Sequence, residues 1–263
     1  MKRTRIIAPD FSEYPAPFHD ILKRAVLYDS SCSPEARVIF LDLDGGYYLK
    51  RASAGSLKGE AQMAAYFQKK GLGAAVLDYH TDQRYDWLLT TRVSGEDCTH
   101  AQYLADPKRL TDTIAVHLRA LHELDFSDCP VQDRTKTYLE TAEVGYRAGR
   151  CDFSLFGEKI QFESAKEAWR TVEENKHFLK NDVLLHGDYC LPNIMLSDWK
   201  FSGFIDLGNG GVGDRHIDLF WGAWTLWFNL KTDQYRARFF DAYGRDKIEM
   251  EMLRVIAAAE MFG

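Results

Sequence analysis

The sequence has few cysteines and no long apolar stretch, and both absences limit what the protein can be. Its five cysteines are scattered and form no C-x-x-C pair, so neither a disulfide framework nor a zinc site is indicated. The basic N-terminal residues are followed only by an Ile-Ile pair, which is too short for a signal peptide. No segment approaches the roughly 20 apolar residues that span a bilayer. We therefore expect a cytoplasmic protein without a membrane segment.

An excess of positive charge is also missing. The chain has 33 basic and 39 acidic side chains, which gives a formal net charge of -6. A general nucleic-acid binder needs a positive face, so binding of this kind is not expected. The 263 residues are 46% apolar, which is enough for one or two hydrophobic cores. We expect a globular monomer.

The pattern of apolar residues divides the chain into two parts. Strands are predicted at 36–43 and 47–52 around an Asp-Gly-Gly turn, and a helix is predicted at 58–70. This order predicts an α+β fold with a strand-rich N-terminal lobe, residues 1–95, and a larger helical C-terminal lobe, residues 96–263. Further strands are predicted at 74–79, 85–92, 183–186, 193–196 and 201–205, and further helices from 107 onward and at 135–147, 164–179, 215–230, 234–242 and 247–261.

Three oxygen-bearing side chains stand at the ends of a predicted hairpin. His186-Gly187-Asp188 follows a short strand, Asn193 comes five residues later, and Asp206 ends the next hairpin. Carboxylate and amide oxygens suit magnesium better than zinc. Asn193 and Asp206 are therefore the predicted metal ligands. Asp188 is left to orient an acceptor alcohol and to accept its proton during phosphoryl transfer.

A nucleotide also needs positive charge at its phosphates, and Lys50 is the candidate. It lies at the end of a predicted strand, and Glu60 lies on the helix that follows. In kinases, a strand lysine held by a helix glutamate contacts the α- and β-phosphates. The pair predicts a site for ATP or GTP in the N-terminal lobe.

These motifs match a known family. The sequence resembles the aminoglycoside phosphotransferases, and among them the aminoglycoside 3′-phosphotransferases, over nearly its whole length. The His-Gly-Asp motif ending at Asp188, the downstream Asn193 and the segment Phe201–Gly208 carry the resemblance. It implies a protein-kinase-like fold in which Asp188 is the catalytic carboxylate and Asn193 and Asp206 bind magnesium. It also implies that Asp218 supports the catalytic loop.

The resemblance extends to the N-terminal lobe. The segment Ser33–Val38 resembles the nucleotide-covering loop of the family, which implies a phosphate contact for Ser33, although the loop lacks a G-x-G-x-x-G pattern. The segment Leu88–Gly95 resembles the hinge. It implies that the backbone of Thr91 and Val93 meets the purine.

The chain departs from the family directly after the second metal motif. Family members often carry an arginine there, but this sequence has Asn209. A phosphate-side cation is therefore missing from the motif. Arg215 and Arg37 are the candidates to replace it.

The acceptor site is expected to contain carboxylates, because aminoglycosides are polycations. We place Glu158, Glu163 and Glu260 nearest the acceptor, together with Trp224 and Phe262. These assignments rest on the resemblance.

An aromatic cluster lies on the helix predicted at 215–230. Trp221, Trp224 and Phe228 share one helical face, which predicts mainly core packing. The alternative is that the tryptophans stack on a sugar or a cation of the acceptor.

The motifs together predict an O-phosphotransferase that uses ATP or GTP with Mg²⁺. Its expected acceptor is a small-molecule alcohol, the 3′-hydroxyl of an aminoglycoside antibiotic, and its expected effect is antibiotic resistance. Two alternatives remain open. One is a choline-kinase-like or sugar-kinase-like enzyme, and the other is a pseudokinase that binds nucleotide without turnover.

Overall fold

The computed structural model describes residues 3–154 and 162–263. The chain forms two compact units. Unit 1 contains Met1–Asp97 and Met195–Gly208, and unit 2 contains Cys98–Ile194 and Asn209–Gly263. Unit 1 is mainly strands and unit 2 is mainly helices, in agreement with the predicted α+β class.

The elements are named in chain order. The strands are β1 (Thr4–Arg5), β2 (Val26–Asp29), β3 (Ala36–Asp42), β4 (Tyr47–Ser53), β5 (Val76–Thr81), β6 (Tyr85–Thr91), β7 (Glu96–Asp97), β8 (Val183–Leu185), β9 (Ile194–Ser197), β10 (Lys200–Phe204) and β11 (Gly211–Gly213). The α-helices are α1 (His19–Arg24), α2 (Lys58–Lys69), α3 (Ala101–Leu104), α4 (Pro107–His122), α5 (Arg134–Arg147), α6 (Ala165–Asn175), α7 (His216–Leu230), α8 (Arg236–Tyr243) and α9 (Met250–Glu260). Among the helices of the described residues, none combines the length and apolar character that crossing a bilayer requires.

Unit 1 is built on a sheet with the strand order β1-β2-β3-β4-β6-β5. The tight turn between β3 and β4 uses Gly45 and Gly46, whose φ angles are 96° and 100°. Glycine adopts positive φ without the steric cost that a Cβ imposes. The register then sets Lys50 of β4 between Val38 of β3 and Leu88 of β6. Lys50 therefore lies on a central strand.

Helix α2 is fixed to this sheet by apolar contacts. Ala61 forms one buried cluster with Leu57 and Leu88. The helix start is also tied down, because the Leu57 N–H donates to Asp86 Oδ2 at 3.0 Å. Glu60 precedes Ala61, so the same packing holds Glu60 beside the sheet.

The hairpin of β9 and β10 belongs to unit 1. Met195 of β9 pairs with Asp97 of β7, and Gly73 forms a parallel bridge with Phe204 of β10. The predicted division at residue 95 put this hairpin in the second part of the chain. Pairing between distant segments moves it to the first, which spacing along the sequence does not reveal.

Helix α4 has the amphipathic pattern that the sequence predicts. Leu110, Ile114 and Leu118 are fully buried. The Asp106 side chain caps the helix by accepting the Arg109 N–H at 3.1 Å. The buried face anchors α4 in the core of unit 2.

The burial of aromatic residues on helix α7 differs from the prediction. Its core residues include Leu219 and Leu226, whereas Trp221 and Trp224 are half-buried and Phe228 is 47% exposed. The prediction that Trp221, Trp224 and Phe228 pack in the core is wrong. The helix carries more apolar residues than one face can hold, so periodicity does not separate the buried side from the open one.

Strands β8 and β11 bring two distant loops of unit 2 together. Leu185 pairs with Gly211, so the residues after β8 lie beside those before β11. A Cβ on Gly187 would stand 1.8 Å from the backbone oxygen of Asn209, and the φ of Gly187 is 84°. Only glycine fits there. This contact holds the loop that leads into Asp188.

Candidate functional site

Lys50 is bound by two carboxylates in unit 1. Its Nζ lies 2.7 Å from Glu60 Oε2, 3.0 Å from Glu60 Oε1 and 2.9 Å from Asp206 Oδ1. The predicted contact between Lys50 and Glu60 is therefore present. Burial opposes the ammonium charge, but the two carboxylates outweigh it and raise the pKa of Lys50. The ammonium is charged and held in place.

Asp206 has an unfavourable backbone conformation. Its φ is 59°, in the left-handed region, which costs a non-glycine residue roughly 1–2 kcal/mol. Its side chain is 52% exposed despite the contact with Lys50. Strained residues of this kind cluster at functional sites. The carboxylate is accessible to a cation.

Asp188 is oriented by Asn193 in unit 2. Asn193 is buried, and its Nδ2 donates to Asp188 Oδ2 at 2.8 Å and to the Asp188 backbone oxygen at 3.0 Å. The Asp188 N–H is 3.3 Å from His186 Nδ1. The Asp188 carboxylate thus has one oxygen fixed by an amide.

Asp218 holds the loop that carries the predicted catalytic carboxylate. It is fully buried, its Oδ2 accepts the His186 N–H at 2.8 Å, and its Oδ1 accepts the Gly187 N–H at 2.8 Å. His122 Nε2 lies 3.2 Å from Asp218 Oδ2, and the other ring nitrogen lies 2.8 Å from the Tyr243 hydroxyl. This buried network fixes the loop backbone.

A cavity of about 230 Å³ opens beside Asp188 within unit 2. Its walls come from α5, α7, α9 and the two loops joined by β8 and β11. The lining residues are Arg134, Tyr138, Thr141, Ala142, Gly187, Asp188, Asn209, Ile217, Trp221, Ala259, Glu260 and Gly263. The cavity is the size of a small-molecule subsite and has a carboxylate at its edge.

Glu260 supplies a second carboxyl group to this cavity. Its Oε1 accepts a hydrogen bond from Trp221 Nε1 at 2.9 Å. Burial raises the pKa of Glu260 to about 7, although hydrogen bonds from Tyr138 and Trp221 favour the ionised form, and the Asp188 charge adds to the rise. The Arg134 charge acts in the opposite direction, and a further cation in the cavity would favour the ionised form.

The other predicted acceptor residues are not in this lining. Glu163 is exposed, Trp224 stacks on Phe228 with ring centroids 4.8 Å apart, and Phe262 is fully buried against aromatic rings of α5 and α6. Phe262 is a core residue because its ring packs on Tyr146 and Trp169. Glu158 lies outside the described residues.

The predicted nucleotide contacts lie in unit 1. Ser33 is exposed between β2 and β3, and Val93 is buried after β6. The Thr91 N–H donates to the Ala75 oxygen, and the Thr91 hydroxyl accepts the Ala75 N–H, both at 2.9 Å. A purine contact by Thr91 therefore has to use its carbonyl.

The two candidates for a cation in place of a family arginine are paired with carboxylates. Arg37 pairs with Glu13 at 3.1 Å and Arg215 pairs with Asp182 at 2.9 Å. Neither of these arginines lines the cavity. The guanidinium that does so belongs to Arg134, and its side chain donates to Asn209.

The oxygens of Asn193 and Asp206 fit magnesium by their chemistry. The Asn193 Nδ2 is used by Asp188, so its Oδ1 is the atom that can serve as a ligand. Asp206 contributes an exposed carboxylate. Amide and carboxylate oxygens are hard donors of the kind that magnesium takes alongside nucleotide phosphates. Asn193 belongs to unit 2 and Asp206 to unit 1.

The chain is similar to known proteins. The family model described as "Phosphotransferase enzyme family" matches residues 34–255. A Lactococcus lactis protein named probable aminoglycoside 3′-phosphotransferase is 51% identical over 263 residues, 100% of this chain and 99% of that protein. An aminoglycoside 3′-phosphotransferase of Niallia circulans is 30% identical over 177 residues, 67% of each chain.

Solved structures show the same fold. A crystal structure of an aminoglycoside-3′-phosphotransferase of type VIII matches with a TM-score of 0.72 and 22% identity, over 95% of this chain and 100% of that chain. An aminoglycoside phosphotransferase from Streptomyces rimosus, in complex with ADP and streptomycin, also matches with a TM-score of 0.72 and 22% identity, over 97% of this chain and 100% of that chain. The predicted protein-kinase-like, two-lobed α+β fold is confirmed, and so is the family resemblance. The chain belongs to the phosphotransferase enzyme family and is a small-molecule kinase.

Proposed function

We propose that this protein transfers the γ-phosphoryl group of ATP or GTP to the 3′-hydroxyl of an aminoglycoside. The observation that carries the proposal is the cavity that Asp188, fixed by Asn193, lines together with the half-buried Glu260. The relative named probable aminoglycoside 3′-phosphotransferase, 51% identical over the whole chain, supports the choice of acceptor. The biological consequence would be antibiotic resistance, in a cytoplasmic monomer.

Asp188 acts on the acceptor hydroxyl. The hydroxyl oxygen attacks the γ-phosphorus, the bond from that phosphorus to the β,γ-bridging oxygen breaks with its electron pair leaving on the nucleoside diphosphate, and the hydroxyl proton passes to Asp188. The transition state of phosphoryl transfer is loose, so proton removal comes late and orientation matters most. Asn193 binds one carboxylate oxygen of Asp188, and we assign the other oxygen to the acceptor hydroxyl.

Lys50 and Glu60 serve the nucleotide. Glu60 holds the Lys50 ammonium at 2.7 Å, so that its charge faces the α- and β-phosphates. Ser33 and the backbone of Thr91 and Val93 complete the proposed nucleotide site. We assign nucleotide binding to residues 1–95 and the catalytic loop and acceptor site to residues 96–263.

Asn193 and Asp206 are the proposed magnesium ligands. Magnesium, when bound, would neutralise phosphate charge. Within the protein itself, Asp206 Oδ1 lies 2.9 Å from Lys50 Nζ. Nucleotide binding would therefore give Lys50 a phosphate partner and turn the Asp206 carboxylate to the metal.

Glu260 serves the acceptor. Aminoglycosides carry several ammonium groups, and an ammonium next to a carboxylate is stabilised by roughly 1 kcal/mol in water and more in a shielded site. Trp221 and Tyr138 hold the Glu260 carboxyl within the cavity. In this proposal Glu260 is the main acceptor-binding residue. A secondary role is left to Glu158, Glu163, Trp224 and Phe262, which are not among the described lining residues.

The test is an acceptor panel with purified protein, Mg²⁺, and either ATP or GTP. It pairs an aminoglycoside that has a 3′-hydroxyl with its 3′-deoxy analogue, and adds choline and a neutral sugar. We expect phosphorylation of the first compound alone, with the phosphate mapped to the 3′-oxygen by NMR. Equal turnover of the 3′-deoxy analogue would contradict the regiochemistry. Turnover of choline or the sugar alone would identify the alternative kinases, and no turnover would identify a pseudokinase.

A further inference from the structure

The cavity beside Asp188 also contains a cation, which is unexpected in a site for a polycationic acceptor. Arg134 is the first residue of α5 and is half-buried. Strand β11 packs against it, because a Cβ built on Gly211 or Gly213 would lie only 3.2 or 3.4 Å from Arg134 Cβ. Two glycines therefore let the strand approach the start of α5 closely.

The guanidinium of Arg134 is directed at the loop that precedes β11. Its Nη2 donates to the side-chain oxygen of Asn209. The backbone oxygen of Asn209 in turn lies against Gly187, directly before Asp188. In residues 3–154 and 162–263, no carboxylate lies within 4.0 Å of Arg134, in contrast to Arg215, which pairs with Asp182.

Removing a guanidinium from water without a carboxylate in contact with it costs stability, which suggests that the charge is kept for a function. Burial lowers the pKa of Arg134 and the Glu260 charge acts against this, but a guanidinium stays protonated in either case, so the charge remains in the cavity. It repels an ammonium-bearing acceptor there. A neutral amide oxygen satisfies one N–H donor without neutralising the charge, and the remaining donors suit a planar, bidentate contact with an anion.

The anion that the reaction brings to Asp188 is the phosphoryl group itself. We infer that Arg134 is a catalytic residue that binds the phosphoryl group while it passes to the acceptor hydroxyl beside Asp188. This inference rests on the proposed function. It assigns opposite tasks to two charges in one cavity: Glu260 attracts the ammonium groups of the acceptor, and Arg134 stabilises the oxygens of the transferred group. Charge stabilisation by a fixed donor is effective in a site of low dielectric constant.

The test compares Arg134→Gln and Arg134→Lys with a matched control, Arg147→Gln. Arg147 lies on the last turn of the same helix, is 76% exposed and pairs with Glu143. The kcat and both KM values are measured from pH 5.5 to 8.5 with the aminoglycoside that the wild type phosphorylates, and the variants are compared at pH 8.5, where Glu260 is ionised. We expect Arg134→Gln to lower kcat about 100- to 1000-fold with little change in the acceptor KM. Arg147→Gln should match the wild type.

A second substitution places a guanidinium on Asn209, the residue that Arg134 contacts. Adding Asn209→Arg to Arg134→Gln should restore kcat at least tenfold, because the new side chain starts from the residue that Arg134 contacts. Arg134→Lys keeps the stem and the charge if Arg134→Gln proves unstable, and it should retain part of kcat. Recovery of kcat in the Arg134→Gln, Asn209→Arg double variant separates a chemical role of the guanidinium from a structural role of Arg134.

Three results would overturn the assignment. In the first, kcat of Arg134→Gln stays within about threefold of the wild type. In the second, the loss appears in the acceptor KM, which would make Arg134 an acceptor-binding group. In the third, only the pH profile moves, which would make it a counter-ion of Glu260. A wild type that phosphorylates no acceptor would remove the proposed function as well, so the two failures are distinguishable.

Discussion

If Glu260 binds the acceptor as proposed, its carboxyl should make acceptor binding depend on pH. Its pKa is raised from 4.5 to about 7 by burial. At about 1.4 kcal/mol for each tenfold step, ionising it costs about 3 kcal/mol more than in water. Only the ionised form attracts an ammonium. The ionised fraction rises from about one tenth at pH 6 to about nine tenths at pH 8. We therefore expect kcat/KM for the acceptor to rise nearly tenfold over this range.

The assay measures kcat/KM for one aminoglycoside from pH 5.5 to 8.5 in the wild type and in Glu260→Gln. The glutamine keeps an oxygen to accept the Trp221 N–H but has no ionisable group. Dividing the two profiles removes the titration of the acceptor's own amines. The ratio should rise through a midpoint near pH 7. A ratio that does not change with pH, or one that falls, would refute the role of Glu260.

The same raised pKa has a consequence for stability. The native state holds the Glu260 proton more tightly than the unfolded chain does, because the folded pKa lies above the unfolded value. The contribution of this group to stability is therefore complete below about pH 4.5 and is lost as the pH rises through 7. Its direction is opposite to that of a carboxylate in a salt bridge.

The remaining predictions concern single substitutions. Gly187→Ala should lower the free energy of unfolding by about 2–4 kcal/mol in denaturant titrations, because its Cβ would collide with the Asn209 backbone and its φ is positive. Gly59→Ala is the control: it has open space around it, and its free energy of unfolding should rise by about 0.5 kcal/mol. Lys50→Gln should raise the nucleotide KM and lower kcat/KM about 100-fold in steady-state assays, because it removes the only proposed cation at the α- and β-phosphates. His122→Leu should cost about 2–3 kcal/mol in the same titrations, since it breaks two buried hydrogen bonds; a loss under 0.5 kcal/mol would contradict the importance of that network.

Contacts between residues that are close in sequence could be predicted well. Asn193 lies five residues from Asp188 and bonds to it, and Lys50 lies ten residues from Glu60 and bonds to it. A strand, a turn and a short helix allow few arrangements over such distances. The spacing and the kinase pattern placed these residues near one another, but the hydrogen bond from Asn193 to Asp188 was not predicted, because Asn193 was assigned only as a metal ligand.

Contacts between distant residues could not be predicted. Arg134 is 75 residues from Asn209, and their contact depends on the pairing of β8 with β11. Strand β11 itself consists of Gly-Val-Gly, and glycine has a low β-propensity, so no pattern indicated it. Trp221 was predicted to be a core residue because it shares one helical face with Trp224 and Phe228, but α7 is apolar on nearly every side. Which side faces the cavity is decided by tertiary packing.

The most direct test of the central claim measures transfer and nucleotide binding in Asp188→Asn. Asparagine keeps the shape of the side chain but cannot accept the hydroxyl proton. Rapid-quench single turnovers with ATP, Mg²⁺ and a 3′-hydroxyl aminoglycoside should form phosphorylated product at least about 1000-fold more slowly than in the wild type, while the Kd for the nucleotide stays within about twofold. Product formation at nearly the wild-type rate would contradict the assignment of Asp188 as the carboxylate at the acceptor hydroxyl.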